Sequence, residues 1–261
     1  MGILNVTPDS FFDGGRYFDH AHAVDHARRM ADEGADVIDI GGESTRPGAR
    51  PVSLEEERRR VLPVIERLAG QLRIPISVDT TKAAIADDAI RAGAVIINDV
   101  SALRSDPDMA ALAARHGAAV VLMHMRGTPH TMQGQVTYDA MLPEMSAFFR
   151  ERIDYARAAG IGDRRIMIDP GIGFGKSVPD GNLTLLKHLG CFTSLKKPLL
   201  VGPSRKAFIG GVLGLGPEER DEGTAAAVAI SVANGANMVR VHDVRMMKRV
   251  VAMADAIMAA V

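Results

Sequence analysis

Cysteine is nearly missing. Cys191 stands alone in 261 residues, so neither a disulfide framework nor a cysteine-ligated zinc site can be built, and a reducing compartment, the cytoplasm, is the expected home. An excess of charge of one sign is missing too. With 31 basic against 32 acidic residues the formal charge is −1, which gives no field to gather nucleic acid or coat an anionic membrane. Neither is expected as a partner, and any anionic substrate must be held by a few placed Arg and Lys. Long apolar runs are absent: none approaches the ~18 residues of a membrane span. No basic leader with a cleavage site opens the sequence. Met1-Gly2 lacks the Ser or Thr that N-myristoylation wants where Val6 stands.

What is present is a repeated phrase. A helical stretch closes on Gly-Ala and a short apolar run follows, ending in a polar residue: Gly34 to Asp39, Gly93 to Asn98, Gly117 to His124 and Gly235 to Arg240. Each Gly suits the left-handed position that ends a helix, and each apolar run suits a strand buried on both faces of a parallel sheet. Four more runs, Gly2 to Asn5, Ile74 to Asp79, Arg165 to Asp169 and Pro198 to Gly202, bring the strands to eight. Helices are expected at about 20–33, 53–70, 81–92, 106–116, 139–159, 181–189, 222–234 and 244–260, with a short extra one within 207–216. Ser53 and Glu56 form a capping box, Val61, Ile65 and Leu68 an inward stripe, and Pro63 should kink that helix or break its ladder. Eight strands alternating with helices, without a Pro/Gly/Ser-rich linker, predict one α/β domain over 1–261, a single (β/α)8 TIM barrel rather than an open doubly wound sheet. The run Arg58 to Arg60 reads as a solvated helix face, and the methionines of 244–260 read as core filler.

In such barrels the βα loops converge at the C-terminal strand ends, and chemistry is expected there. Those ends carry Asn5, Asp39, Asp79, Asn98, His124, Asp169, Ser204 with Lys206, and Arg240 with His242. Asp39 and His124, taken singly, are also compatible with hydrogen bonding to loop backbone. Asp79, Asn98 and Asp169 suit a heterocycle with a donor-rich edge, since a carboxylate can accept two parallel hydrogen bonds from an N–H and an amino group. Arg46, Lys206, Arg240 and His242 suit phosphate or carboxylate oxygens. The mouth asks for a ligand with two chemically different ends. Gly171 to Ser177 imitates a phosphate loop, yet Pro170 stands where the Walker pattern needs Gly, and the dinucleotide spacing fails as well. A tight loop bringing Phe174 to a ligand fits better. His116, His124 and His130 have no zinc spacing. The polar stretches from Thr7 to Tyr17 and from Gly41 to Pro51 read as lids.

Eight ordered blocks then resemble one family. Met1 to Phe11, Gly42 to Gly48, Ser77 to Thr80, Ile97 to Val100, Met123 to Met125, Asp169 to Lys176, Ser204 to Gly210 and Arg240 to Val244 are similar to the dihydropteroate synthases, over residues 1 to about 250. Methyltetrahydrofolate methyltransferases share the Asp and Asn blocks but not the Ser-Thr-Arg-Pro loop or the Ser-Arg-Lys block. A silent pterin-binding barrel is the other alternative, with retention of Thr45, Arg46, Lys206, Arg240 and His242 against it.

The resemblance implies a transferase that condenses 6-hydroxymethyl-7,8-dihydropterin pyrophosphate with para-aminobenzoate, giving 7,8-dihydropteroate and pyrophosphate. It implies pterin contacts at Asp79, Asn98, Met123, Asp169, Lys206 and Arg240, and an aminobenzoate pocket of Phe11, Thr45, Pro47, Phe174 and Ser204, where sulfonamides would also bind. Pyrophosphate would lie on Asn5, Arg46, Arg240 and His242, with magnesium on Asn5, and the catalytic set would be Asp79, Arg46, Lys206, Arg240 and His242. A homodimer is implied as well. Departures from the family pattern are Phe12 in place of Ser, Gly181 in place of His, Pro203 before Ser204, and an N-terminal floor segment expected to be short or missing.

Overall fold

Strands alternate with helices as the repeated phrase predicts, in a computed structural model that describes residues 1–7, 20–45, 48–134, 136–177 and 180–260. The strands are β1 (Gly2–Asn5), β2 (Ile38–Gly41), β3 (Ile76–Asp79), β4 (Ile96–Asp99), β5 (Ala119–Met123), β6 (Ile166–Asp169), β7 (Leu200–Val201) and β8 (Met238–Val239). The helices are α1 (His20–Asp32), α2 (Leu54–Ala69), α3 (Ala83–Ala92), α4 (Met109–His116), α5 (Met141–Ala158), α6 (Asp180–Lys187), α7 (Ala207–Leu213), α8 (Asp221–Ala233) and α9 (Val244–Ala259). Strands β1 to β6 pair in parallel in chain order, and β7 pairs with β8. A bridge from Ile168 to Leu199 joins β6 to β7, and one from Gly2 to Val241 carries the pairing back to β1. The Met1 amine adds a bond to the Val239 carbonyl at 2.9 Å. The pairing thus returns to its start, and the fold is an α/β TIM barrel. Strand β7 is shorter than its apolar run because Pro198 has no N–H and the Leu199 N–H is taken by the Asn237 side chain at 2.9 Å.

The period-2 alternation of each strand divides its side chains between two cores. Leu4, Ile38, Ile40, Val78, Ile97, Val120, Leu122, Ile168 and Val201 pack outward against the helices in the main core. Met1, Val37, Val121 and Leu200, with Ile96, Met167 and Met238, form a separate cluster that fills the ring from below. The same inward parity, read toward the strand ends, delivers Asn5, Asp79, Asn98, Met123, Asp169 and Arg240 to one mouth.

Several local features depart from the sequence reading. Helix α2 runs unbroken through Pro63, and the Arg59 carbonyl that Pro63 cannot serve accepts a bond from His20 Nε2 of α1 at 3.2 Å. Ser53 Oγ accepts the Glu56 N–H, but the Glu56 carboxylate pairs with Arg59 and Arg60 and not with the cap, so only half the capping box forms. Arg60 is no solvated charge: it is buried and donates to the Gly42 carbonyl at 2.7 Å, anchoring the turn after β2. On α9, Met247 is core, whereas Met253 and Met258 are exposed. Among the described residues, no helix is long and apolar enough to cross a membrane.

The four Gly-Ala glycines, Gly34, Gly93, Gly117 and Gly235, all have positive φ, as the left-handed helix ending requires. Gly93 is the most constrained, because a Cβ there would sit 2.5 Å from Ala69 Cβ at φ +120°. Gly93→Ala is therefore expected to cost about 2 kcal/mol or more of unfolding free energy, through strain and overpacking together. Gly70→Ala, at φ −87° with open space around it, should stay within about 0.5 kcal/mol of the parent. Urea melts of the two variants check this, and equal midpoints would contradict it.

Candidate active site

The mouth is organised by one guanidinium. Arg240, just past β8, donates from Nε to Asp39 Oδ2 at 2.6 Å and from Nη2 to Asp79 Oδ2 at 2.9 Å. Asp39 is fully buried on β2, and it also accepts from Asn98 Nδ2 at 2.9 Å. That bond turns the Asn98 amide so that its oxygen is left for a ligand. Asp39 therefore orients two other site residues and bonds no loop backbone through these contacts. Burial pushes the Asp79 carboxyl up to about 7; Arg240 opposes this and the neighbouring Asp39 adds to it. Two carboxylates share one cation, so neither is fully compensated.

Asp169 ends β6 on the opposite side. Its Oδ1 accepts the Gly171 N–H at 2.7 Å, and Oδ2 has no hydrogen bond among the described residues. Burial raises its pKa against the pull of Lys206 and of the Gly171 N–H. Lys206 stands at the start of α7, its Nζ bonded to the Ile172 carbonyl and 4.4 Å from the centre of the Phe174 ring. Burial lowers its pKa to about 8, with Asp169 opposing. Ser204 Oγ accepts the His242 N–H at 3.2 Å and meets His242 Nδ1 at 2.9 Å, which joins the loops after β7 and β8. Met123 packs with Val100, Met125, Met132 and Phe174, an apolar platform beside the polar groups.

The turn that presents Ser204 and Lys206 is strained. Arg205 between them has φ +54°, a conformation that costs a non-glycine residue of order 1 kcal/mol. A two-bond pair with Asp221, both at 2.8 Å, and the Thr224 hydroxyl on its N–H hold it there. The middle residue of the Ser-Arg-Lys block is structural, turned away from its neighbours' work.

Asn5 ends β1, opposite Gly41 in register, half-buried, and no hydrogen bond involves its side chain among the described residues. In the segment after β2, Thr45 lines a cleft of about 410 Å3 together with Glu43, Glu57, Asp79, Thr80 and Arg104. Lys82 Nζ bridges Glu43 to the buried Glu57, and Thr80 Oγ1 donates to Glu57 at 2.7 Å, so this segment is anchored beside Asp79. Arg46, Pro47, Phe11 and Phe12 lie outside the described residues, as does the greater part of the first expected lid. Of the sequence candidates, the structure brings together Asp79, Asn98, Met123, Asp169, Lys206 and Arg240, with Ser204 paired to His242 and Phe174 against Lys206.

His124 is not at the mouth. It is buried with Nδ1 facing Lys176 at 3.2 Å and its ring centroid 4.9 Å from that of Phe148. The sequence reading placed Asp39 at a strand end but missed the supporting roles of Glu57, Lys82, Lys176 and Asn182. Only Asp39, at a strand end, carried a signal that its chemistry lay inward; Glu57 looked like one more acid on a charged helix.

Comparison with known proteins agrees with this geometry. The pterin binding enzyme family matches residues 1–242. The dihydropteroate synthase of Bacillus subtilis is 50% identical over 258 residues, 99% of this chain and 88% of that one. The crystal structure of the Yersinia pestis dihydropteroate synthase in complex with a sulfonamide drug superposes with a TM-score of 0.94 at 44% identity, covering 99% of this chain and 94% of that one. The Xanthomonas albilineans dihydropteroate synthase has been solved with 4-aminobenzoic acid (TM-score 0.93, 48% identity) and with 7,8-dihydropteroate (TM-score 0.90, 45% identity), each covering 100% of this chain and 93% of that one. These relatives favour the synthase over the methyltransferase and the silent barrel. The chain belongs to the pterin-binding enzyme family and, within it, to the dihydropteroate synthases.

Proposed function

We propose that the mouth of this barrel is where the chain condenses 6-hydroxymethyl-7,8-dihydropterin pyrophosphate with para-aminobenzoate, and that the residues gathered there divide the work as follows. Asp169 accepts from the N3–H and 2-amino group of the pterin, Lys206 reaches its O4 and N5, and Asn98 and Asp79 accept along the remaining edge. Met123 and Arg240 lie on the two ring faces. Thr45, Phe174 and Ser204, with Phe11 and Pro47, form the aminobenzoate slot, which sulfonamides would share. Arg46, Arg240 and His242 receive the pyrophosphate. The observation that carries this reading is Asp169: a buried carboxylate with no ion pair among the described residues, one oxygen satisfied by Gly171 and the other without a hydrogen bond there. The reducing environment implied by a single cysteine supports a cytoplasmic enzyme. Exposed Ile230, Met253, Ile257 and Met258 on the packed pair α8 and α9 support a homodimer.

The chemistry is charge separation. The C–O bond at the pterin methylene breaks with its electron pair leaving on pyrophosphate, and the delocalised cation is captured by the aromatic amine, which forms the C–N bond and releases a proton. The amine is neutral at pH 7, so no strong base is needed, and the proton it releases passes to solvent or to the departing pyrophosphate. Asp79 and Asp169 offset the developing cation and the Arg/His group the developing anion, preorganised dipoles and charges that strengthen as water is excluded.

A divalent ion fits Asn5 only in company. Among the described residues no group of three or more His, Cys, Asp or Glu is arranged to hold a metal, and Asn5 offers one unbonded neutral oxygen. Magnesium bound there with pyrophosphate would offset the charge of the leaving group. Calorimetry should find magnesium binding weak to the empty protein and substantial once pyrophosphate is added; tight binding without pyrophosphate would contradict the assignment.

Two further outcomes follow from the carboxylates. Asp169→Asn sets a donor against a donor in a buried site, which should cost about 3 kcal/mol and reduce pterin affinity roughly a hundredfold. Pterin titration of the variant decides it, and parent-like affinity would remove the central contact. For Asp79, the folded carboxyl near 7 holds its proton more tightly than the unfolded one near 3.8, so ionisation between those values destabilises the fold as pH rises. The stability advantage of the parent over Asp79→Asn should therefore shrink from pH 4 to pH 7, while turnover of the parent rises over the same window because the cation needs the ionised form. Parallel melts and pyrophosphate-release assays check the opposite trends; a flat stability difference would argue against the buried, shared site.

A further inference from the structure

Gly171 to Ser177 has the look of a phosphate loop, and Lys176 at its end takes no part in the roles above. It is nevertheless only 2% exposed. Its ammonium has three N–H groups and meets three acceptors: the Phe174 carbonyl at 2.9 Å, His124 Nδ1 at 3.2 Å and the His124 carbonyl at 3.3 Å. His124 can accept because burial drives its pKa down to about 2, leaving the imidazole neutral. Burial also lowers Lys176 to about 7, with Asp169 opposing the shift. The two bonds to His124 tie the loop after β6 to the residue that follows β5, and the bond to Phe174 closes a turn within the β6 loop.

The two loops touch backbone to backbone. At Gly171, φ +65°, a Cβ would overlap the His124 carbonyl oxygen, and at Gly175, φ +63°, it would lie 2.8 Å from the Arg126 carbonyl oxygen. Tyr138 donates to the Gly175 carbonyl at 2.9 Å, and Asn182 accepts the Gly173 N–H at 2.6 Å while donating to the Lys176 and Ser177 carbonyls. Gly181 belongs to this packing too: a Cβ there would come within 3.2 Å of Lys176 Cβ, so the absence of a side chain leaves the lysine its space. Phe174 stands on top of this assembly, with the Lys206 ammonium on its ring.

We propose that Lys176 is a positioning residue, whose ammonium clamps the Phe174 and His124 carbonyls and so holds the Phe174 ring as the wall of the aminobenzoate slot, while Lys206 keeps its own anchor on the Ile172 carbonyl. The identity of the second substrate rests on the proposed function; the clamp itself rests on the three bonds. A neutral side chain of the same length leaves two carbonyls and an imidazole nitrogen unanswered, and the loop relaxes away from His124. A displacement of about 1 Å at a reacting group is enough to lose as much as a hundredfold in rate.

The test is Lys176→Met beside Phe174→Leu, the double variant and Tyr138→Phe. In Lys176→Met the KM for para-aminobenzoate should rise about tenfold or more, with pterin affinity within about threefold of the parent. Because Lys176 acts through Phe174, the double variant should be no worse than the more impaired single one, whereas independent effects would add. Tyr138→Phe, which loosens the same loop from a half-buried position, should give the same split in a weaker form and reads the clamp even where Lys176→Met does not fold. Amide hydrogen exchange over 172–177 should quicken in both loop variants. A parent-like KM for para-aminobenzoate, additive effects with Phe174→Leu, or unchanged exchange would each overturn the proposal. A parent protein whose pyrophosphate release ignores para-aminobenzoate would instead defeat the proposed function, and the exchange measurement would still judge the clamp.

Discussion

Arg240 reaches from the end of β8 to carboxylates on β2 and β3, and the state of the whole mouth follows from that reach. A guanidinium taken out of water requires paired acceptors with good geometry, since an uncompensated buried charge costs several kcal/mol. Asp39 and Asp79 meet the requirement from one side, and in doing so Asp39 turns Asn98 and Asp79 is left with a raised pKa. Burial alone would lower the Arg240 pKa; the two carboxylates more than reverse that and raise it. The two carboxylates thus keep the guanidinium charged in its buried setting.

Around this pair the site is assembled from residues that are poor for stability. Asp39 Oδ1 and Ser77 Oγ are buried without a hydrogen-bond partner among the described residues, and neighbours in register on β2 and β3. Asp169 keeps an oxygen unspent, and Arg205 is strained. Each feature works against folding, and on the proposed function each serves the chemistry: the unspent acceptor would meet a ligand donor, and the strained turn sets Ser204 and Lys206 side by side. The compensation comes from the continuous outer core between strands and helices, which reaches almost every element of the barrel.

The loops after β5 and β6 show a different economy. Glycines at 171 and 175 let two backbones lie in contact, a geometry that elsewhere cradles a phosphate, and here the space is filled by the His124 and Arg126 carbonyls. The lysine that follows serves carbonyl oxygens of the protein itself. The same residue types in almost the same spacing thus serve a different acceptor, because the loop lies against the His124 and Arg126 carbonyls.

By itself the sequence determined the eightfold alternation, the parallel pairing and the inward set at the strand ends, because those depend on local periodicities: a period of two along each strand, and a glycine with positive φ closing helices before β2, β4, β5 and β8. It also carried the family, through eight ordered blocks. Tertiary structure alone decided which charges pair. Asp39 and Arg240 are 201 residues apart, Lys82 and Glu57 are 25 apart, and Lys176 and His124 are 52 apart, and no local pattern marks such partners. His124 directly follows β5 and Asp79 ends β3, yet one turns into an aromatic cluster and the other toward the mouth, a difference set by side-chain parity and by the neighbours each meets. Pro63 looked like a helix break and is not one, because His20, 39 residues before Arg59, supplies the missing donor. Hydrogen-bond partners and burial are properties of the closed barrel, and only when the ring closes do these residues acquire the surroundings that fix their charge and orientation.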